Sequence, residues 1–170
     1  LTAAEVRLLT MLAGREHRLS RALEAVRDRY DLVIIDCPPA LNILTVNALT
    51  AADSVLIPMQ CEYYALEGLS GLVSTIEQIR DSVNSRLAIE GILRTMFDPR
   101  NNLSNDVSAQ LIEHFGDRVF RTIIPRNVRL AEAPSHGKPA ILYDASSRGS
   151  HGYLNLAREL LDDEAAGPTS

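Results

Sequence analysis

The sequence is poor in the residue types that mark several specialised classes of protein. Its 170 residues include two cysteines and no tryptophan, and aromatic residues make up only 5%. Two cysteines without metal-ligand spacing exclude a disulfide scaffold and a zinc site, and they suit a reduced, cytoplasmic setting. No apolar run approaches the roughly 20 residues that a membrane helix needs, and no stretch has the pattern of a signal peptide. We therefore expect a globular cytoplasmic protein with no membrane association.

The sequence also lacks an excess of basic residues. Its formal net charge is -5 at pH 7, so nothing in the overall charge indicates binding to nucleic acid, and any such site has to be a local basic patch. The fractions of hydrophobic and charged residues, 46% and 23%, are typical of a globular domain. A chain of this length is long enough to bury one hydrophobic core.

The first residue is Leu1 rather than Met, and it stands at the edge of a helical pattern of apolar residues. We therefore expect a fragment, a processed chain or the product of an incomplete gene model. The composition shows no internal linker, so we expect one domain over residues 1–161. Residues 162–170 have the composition of a flexible tail.

Helices and strands are predicted to alternate along the chain. Apolar runs rich in β-branched residues predict strands at residues 32–35, 54–57, 89–97 and 119–124, three of them ended by prolines. Helical periodicity predicts helices at residues 15–29, 43–51, 66–83, 104–115 and 152–161, the fourth capped by Ser104 and ended by Gly116. Strands separated by such helices predict an α/β fold of three layers, with a mostly parallel sheet and helices on both faces.

Polar residues follow the predicted strands, where parallel sheets bind their ligands. They are Asp36, Gln60, Asp98 and the segment 125–129. Asp36 is the sharpest of them, because four apolar residues followed by Asp is the Walker B arrangement, in which the carboxylate holds Mg²⁺ beside nucleotide phosphates. An Asp that ends a strand and caps the next turn gives the same pattern, so the spacing alone leaves both interpretations open.

Residues 30–41 resemble the YDxxxIDxPPxL segment of ParA/MinD-type ATPases, in which the aspartate opens the switch II loop. Further blocks resemble the same family, at residues 47–53, 57–68, 95–104 and 124–139. The last two are similar to the chromosomal ParA/Soj branch in particular. The resemblance covers nearly the whole chain and implies a P-loop NTPase-like fold that lacks its first, phosphate-binding unit.

The family's phosphate-binding element, a deviant Walker A loop with two lysines, has no match in this sequence, which contains no GxxxxGK[ST] stretch. Backbone N–H groups at a helix N-terminus, together with a lysine, supply most of the affinity for phosphate in such sites. We therefore expect Asp36 alone to hold Mg²⁺ only weakly. We also expect that this chain alone does not hydrolyse ATP.

The resemblance implies two further sets of site residues. Pro125 and Asn127 match a segment in which the proline packs on adenine and the asparagine amide hydrogen-bonds the base. Arg100 and Arg129 match arginines of a surface that binds DNA phosphates without reading sequence. The alternatives are a strand-ending proline followed by a helix-capping asparagine, and arginines that are solvated or weakly paired. Other basic residues that could extend the surface are Arg121, Arg126 and Lys138.

Taken over the whole family, the resemblance implies a cytoplasmic, nucleoid-associated ATPase for chromosome or plasmid partitioning. It uses ATP and Mg²⁺, forms an ATP-dependent homodimer, binds DNA nonspecifically and is stimulated by a centromere-binding partner of the ParB/Spo0J type. Asp36 is the catalytic and metal-binding residue in this scheme. One alternative is a truncated, non-catalytic regulatory or binding module. The other is a MinD-like ATPase, although residues 152–170 lack the basic amphipathic helix of a membrane-bound form.

Several conspicuous side chains have simpler explanations than catalysis. Cys37 and Cys61 follow predicted strands and are interpreted as partly buried thiols. His136 has no serine or cysteine at a catalytic spacing and is interpreted as a turn residue. Tyr63 and Tyr64 are interpreted as packing residues.

Overall fold

The computed structural model describes residues 2–11, 13–38, 40–62 and 65–166. Its strands are β1 (Ser54–Gln60), β2 (Ala88–Phe97) and β3 (Val119–Pro125). Its α-helices are α1 (Ala3–Leu9), α2 (Arg18–Glu24), α3 (Ile43–Ala51), α4 (Ala65–Ser82), α5 (Asn102–Phe115), α6 (Val128–Glu132), α7 (Ala140–Tyr143) and α8 (Arg148–Ala166). Short 3₁₀ helices lie at Arg15–His17, Arg27–Arg29, Gly116–Arg118 and Ala133–His136. No helix within the described residues is long and apolar enough to cross a membrane.

The strands confirm the predicted α/β fold. Within the described residues they form one sheet in the order β1-β2-β3, and β2 and β3 run parallel. Leu93 of β2 belongs to a buried apolar cluster with Leu156 of α8, whereas the next residue, Arg94, donates a hydrogen bond to Ser108 of α5. Because successive strand residues point to opposite faces, α8 and α5 cover opposite faces of the sheet.

The chain divides into two compact units, which are described separately. The first comprises Leu1–Val55 and Ser70–Ile89, and the second comprises Leu56–Leu69 and Glu90–Ser170. A single domain over residues 1–161 stays a prediction.

Two buried asparagines organise the first unit. The Asn47 side chain accepts a hydrogen bond from the backbone N–H of Leu19 and donates to the carbonyls of Arg15 and Ile43, so it joins α3 to the start of α2. The Asn84 amide donates to the carbonyls of Leu49 and Ala52 at the end of α3. Both side chains therefore bind backbone groups at helix ends, where several N–H and C=O groups have no partner within the helix.

The second unit has its core between β2, β3 and α8. Leu93, Phe120, Ile124 and Leu156 are buried together, and partly buried side chains surround them: Leu56, Leu130 and Leu160. The close packing of α8 depends on Gly149, because a Cβ atom there would lie 2.5 Å from Leu130. This core holds the carboxyl end of β3 in place.

The strand predicted at residues 32–35 is wrong. Residues 32–38 form neither helix nor strand, and the residues Leu32, Val33 and Ile34 are 58%, 46% and 85% exposed. A strand exists only where another strand takes up its N–H and C=O groups, and no strand within the described residues pairs with this segment. Asp36 consequently does not follow a strand.

The other differences are at element boundaries. Pro58 lies inside β1 because β1 is the edge of the described sheet, where a missing N–H is tolerated. Asn101 rather than Ser104 caps α5, by accepting from the N–H of Leu103, whereas Gly116 ends this helix as predicted. Helix α8 begins before residue 152 because the Ser147 hydroxyl accepts from the N–H of Ser150.

The helix predicted at residues 15–29 is broken after Glu24 and is completed by 3₁₀ turns at both ends. Helix α8 continues past residue 161 to Ala166. Tyr63, Tyr64 and the last four residues of the predicted tail, 167–170, lie outside the described residues, so what was predicted of them stays a prediction.

Candidate functional site at the carboxyl ends of β2 and β3

The carboxyl ends of β2 and β3 lie side by side in the second unit. Phe97 is the register partner of Pro125, and the N–H of Arg126 donates to the Phe97 carbonyl at 3.0 Å. The segments that follow, residues 98–101 and 126–129, therefore leave the sheet at the same edge. Four of the five predicted site residues lie there, in the position where parallel sheets bind ligands.

Met96 has an unusual backbone conformation just before this edge. Its φ of 52° lies in the left-handed region, and Met96 is the only non-glycine residue within the described residues with a positive φ. The register between β2 and β3 shifts between Arg94 and Phe97, so the strand makes room for this conformation. Backbone strain of this kind is held in place by surrounding structure and is commonest at functional sites.

A pocket of about 310 Å³ lies beside Met96. It is lined by Cys61, Glu62, Met96, Asp98, Asn101, Leu103, Ser104 and Arg126. Its volume is at the lower end of the range for small-molecule sites. The lining offers two carboxyl groups and one guanidinium group, so it suits a polar ligand with both hydrogen-bond donors and acceptors.

Asp98 and Arg100 form a two-pronged ion pair within one turn of the loop after β2. The Arg100 Nε and Nη2 atoms donate to the two carboxyl oxygens of Asp98 at 3.0 and 2.8 Å, and the Arg100 N–H also donates to Asp98. The side-chain hydrogen bond from Arg100 is the main cause that lowers the pKa of Asp98 from 3.8 to about 2. Arg100 is 88% exposed, so its cation faces solvent while a neighbouring carboxylate balances its charge.

Arg129 is paired with two carboxylates. Its Nη1 atom donates to Glu132 at 2.8 Å, and its Nε atom lies 3.4 Å from a carboxyl oxygen of Asp144. The hydrogen bond to Glu132 raises the pKa of Arg129. Arg100 lies in the loop after β2 and Arg129 in helix α6 after β3, and both form the ion pairs that were the simpler alternative.

Asn127 caps helix α6. Its Oδ1 atom accepts a hydrogen bond from the N–H of Arg129 at 2.9 Å, which is the structural role weighed against base binding. The cap uses only the amide oxygen, and the amide NH₂ group takes no part in it. Pro125 is the last residue of β3 and is half-buried, as is Asn127. Contact between these two residues and an adenine base stays a prediction.

Asp36 lies in the first unit, in the exposed segment 32–38. Partial burial and then the Asp36 charge raise the pKa of the neighbouring Cys37. The described residues contain no group of three or more His, Cys, Asp or Glu side chains that could hold a metal ion. Mg²⁺ in nucleotide sites needs only one or two carboxylates, but it needs phosphate oxygens as well. The sequence has no recognisable phosphate loop, and a role of Asp36 in holding Mg²⁺ stays a prediction.

Several residues that shape this edge were not predicted. Glu132 could have been recognised as a partner of Arg129 from the i, i+3 spacing on a helix. Asp144 contacts Arg129, and Tyr143 donates a hydrogen bond to Glu132. Each lies more than ten residues from its partner in the sequence, so no local pattern indicates the contact. The only feature of the sequence that pointed to the ion pair of Asp98 with Arg100 is that both residues follow a predicted strand.

Comparisons with known proteins give the family. The family model described as AAA domain (AAA_31) matches residues 1–89, which is more than half of the chain. The chain is 58% identical over 160 residues to the sporulation initiation inhibitor protein Soj of Bacillus subtilis, which covers 94% of the chain and 63% of that protein. It is 55% identical over 158 residues to the chromosome partitioning protein ParA of Caulobacter vibrioides, which covers 92% of the chain and 59% of that protein.

The structural comparison agrees with the fold described above. A crystal structure of cobyrinic acid a,c-diamide synthase from Mycobacterium smegmatis, with bound ADP and magnesium, matches 98% of the chain and 60% of that protein. The TM-score is 0.78 and the sequence identity is 35%. The chain thus spans about three fifths of the length of each protein that it matches here. It belongs to the AAA_31 family of AAA domains, and the relatives described above include the ParA and Soj chromosome-partitioning proteins.

Proposed function

We propose that the chain is part of an ATP-dependent DNA-partitioning protein of the ParA/Soj type. The observation that carries this proposal is the identity of 58% and 55% to Soj and ParA over more than nine tenths of the chain. The match to the cobyrinic acid a,c-diamide synthase is lower, at 35%. The partitioning relatives therefore give the better guide to function.

In this proposal the nucleotide base is bound at the carboxyl end of β3. Pro125 would pack against adenine, and the Asn127 amide would hydrogen-bond the base. Asp36 would hold Mg²⁺, which would neutralise phosphate charge during transfer of the terminal phosphoryl group. The solved relative that holds ADP and magnesium supports this choice of ligands.

DNA would bind to the edge that carries Arg100 and Arg129. Exposed guanidinium groups on the loop after β2 and on helix α6 after β3 suit contacts to phosphates, which need no base readout and weaken with added salt. The protein would act as an ATP-dependent homodimer, associated with the nucleoid in the cytoplasm, and would be stimulated by a ParB/Spo0J-like partner. We infer these features from the resemblance to the ParA/Soj family.

The first test asks whether the 170-residue chain binds nucleotide on its own. We expect calorimetric titration of the 170-residue chain with Mg²⁺–ATP to show no measurable binding, because the chain has no phosphate loop. Micromolar affinity would contradict this expectation. The reading frame upstream of the Leu1 codon decides between an enzyme and a shortened binding module. A frame that continues into a glycine-rich, lysine-bearing loop supports the enzyme, and a start codon at that point supports the module.

The second test concerns DNA. In the full protein encoded by the gene, with ATP and Mg²⁺ present, we expect Arg100→Ala and Arg129→Ala to weaken binding to duplexes of unrelated sequence alike. Each should also lower the slope of log affinity against log salt by about one. Arg118→Ala, an exposed arginine of the 3₁₀ turn after α5, is the matched control. Unchanged affinity in both variants would sink the assignment of this surface.

A further inference from the structure

Arg129 is held from two directions by separate elements of the second unit. Glu132 comes from the same helix, α6, and binds the Nη1 atom at 2.8 Å. Asp144 comes from the end of α7 and lies 3.4 Å from the Nε atom. The two contacts occupy two of the guanidinium nitrogens that would otherwise be available for a phosphate.

Both carboxylates are themselves held in place. The Tyr143 hydroxyl donates to the Glu132 carboxylate at 3.2 Å. Asp144 accepts hydrogen bonds from the N–H and the hydroxyl of Ser146, at 3.1 and 2.8 Å. The arrangement is therefore prepared by contacts that do not involve Arg129, so the carboxylates lose little side-chain freedom when they bind it.

Arg100 at the same edge is held differently. Its carboxylate partner is Asp98, two residues away in the same loop, and its side chain is 88% exposed against 52% for Arg129. The structure thus distinguishes an arginine paired within one loop from an arginine paired with carboxylates of two elements, within one candidate surface.

We propose that Glu132 and Asp144 compete with DNA phosphate for the Arg129 guanidinium and so set the affinity of this surface for DNA. The inference rests on the proposed function, because it concerns the same DNA-binding edge. Carboxylate and phosphate offer the guanidinium the same paired oxygen acceptors, so a phosphate contact to Arg129 forms by exchange. Each exchange breaks the contacts of Arg129 with two carboxylates, and the loss of these contacts lowers the net gain from the new one.

The ionisation of Glu132 supports this competition at neutral pH. The hydrogen bond from Arg129 lowers the pKa of Glu132 below its ordinary value. The carboxylate is therefore charged wherever DNA binding would be measured, and the competition needs no change of pH to operate.

The test is a double-mutant cycle on DNA binding by the full protein, with ATP and Mg²⁺, measured by the anisotropy of a fluorescent duplex. We expect Glu132→Gln and Asp144→Asn each to tighten binding by about two- to fivefold, the range for releasing an exposed ion pair. Both substitutions preserve shape, and Asn at position 144 can still accept from Ser146. Glu113→Gln on the exposed side of α5 makes the same change of net charge and should tighten binding less.

The second arm repeats the substitutions in an Arg129→Ala background. There Glu132→Gln and Asp144→Asn should have no more effect than Glu113→Gln, because the group they release is gone. If Arg129→Ala weakens binding but the two carboxylate variants match the control, the competition is refuted and the DNA surface stands. If Arg129→Ala has no effect on binding, the proposed function of this residue fails first.

Discussion

Arg94 and Glu159 bind the same irregular stretch of β3 with opposite charges. The Arg94 Nη2 atom donates to the carbonyls of Phe120 and Arg121 at 2.8 and 3.2 Å, and the Glu159 carboxylate accepts from the N–H groups of Arg121 and Thr122 at 2.7 and 2.9 Å. Along this stretch β3 advances four residues while β2 advances two. The two side chains therefore satisfy backbone groups that a regular ladder would have paired.

We expect Arg94→Met to lower the free energy of unfolding by about 2 kcal/mol, since it leaves two carbonyls and the Ser108 hydroxyl without their donors. In other proteins the replacement of a buried charge by an apolar group can leave stability unchanged. The Nε atom of Arg94, which is buried without a hydrogen-bond partner, favours that outcome here. We expect the loss to dominate because the carbonyls sit where the ladder is broken. Urea unfolding followed by circular dichroism measures the change, with exposed Arg118→Met as the control. Equal midpoints for the two variants would show that the guanidinium contributes no stability.

Glu159 makes the stability of the second unit depend on pH. Burial alone would raise its pKa, but the hydrogen bonds from Thr122 and Arg121 outweigh burial and hold the pKa below the ordinary value of 4.5. A carboxylate with a lowered pKa contributes stability that is present above the ordinary value and is lost as the pH falls through the folded-state value.

Glu159→Gln should therefore be destabilising at pH 7, by about 1 to 3 kcal/mol. The substitution replaces one of the two accepting oxygens by an NH₂ group, which cannot accept a hydrogen bond, so one of the two backbone N–H groups loses its partner. The same variant should lose less stability than the unsubstituted chain when the pH falls below 4.5. Denaturant melts at several acidic pH values give both quantities. Exposed Glu113→Gln should leave the acid dependence unchanged, and a similar flattening in that control would assign the effect to net charge.

The Asp98 carboxyl group should titrate at about pH 2, and Arg100→Gln should move the midpoint up toward the ordinary value of 3.8. The guanidinium hydrogen bonds favour the charged carboxylate, so their loss favours protonation. The carboxyl ¹³C chemical shift of Asp98, followed between pH 2 and 5, measures this midpoint. The midpoint of the variant falls inside that pH range, and the midpoint of the unsubstituted chain falls at its lower limit. Arg118→Gln, which has the same charge change, should leave Asp98 unaltered. An unmoved midpoint in Arg100→Gln would mean that the ion pair does not persist in solution.

The sequence predicts several helices and strands closely. Helix α3 agrees with its predicted bounds, and strand β2 agrees to within one residue, because each has a strong local pattern. The Asn127 cap and the carboxyl-edge position of Asp98 also follow from local rules that link turn residues to strand ends and helix starts.

What could not be predicted depends on partners far away along the chain. The contact of Asp144 with Arg129 and that of Glu159 with β3 join residues 15 and 37 to 38 positions apart, and no periodicity encodes such pairs. The segment at residues 32–35 is the converse case. Its apolar, β-branched composition is that of a strand, but composition alone cannot supply a neighbour for its backbone.

That segment is also the site of the last prediction. An exposed apolar stretch that pairs with no strand within the described residues is a template for pairing with another chain, and Ile34 exposes 85% of its surface there. We expect the 170-residue chain to self-associate and Ile34→Lys to reduce this, since a lysine on an exposed edge opposes pairing between identical chains. Sedimentation velocity over a concentration series measures the effect.

Leu161→Lys is the matched control, because Leu161 is 61% exposed on helix α8, where the backbone is already paired. If exposed apolar area alone drives self-association, the two lysine variants should reduce self-association equally. If the cause is that residues 32–35 pair with no strand within the described part of the chain, only Ile34→Lys should reduce self-association. A chain that stays monomeric without any substitution would count against both explanations, and would mean that residues 32–35 find a partner within the chain in solution.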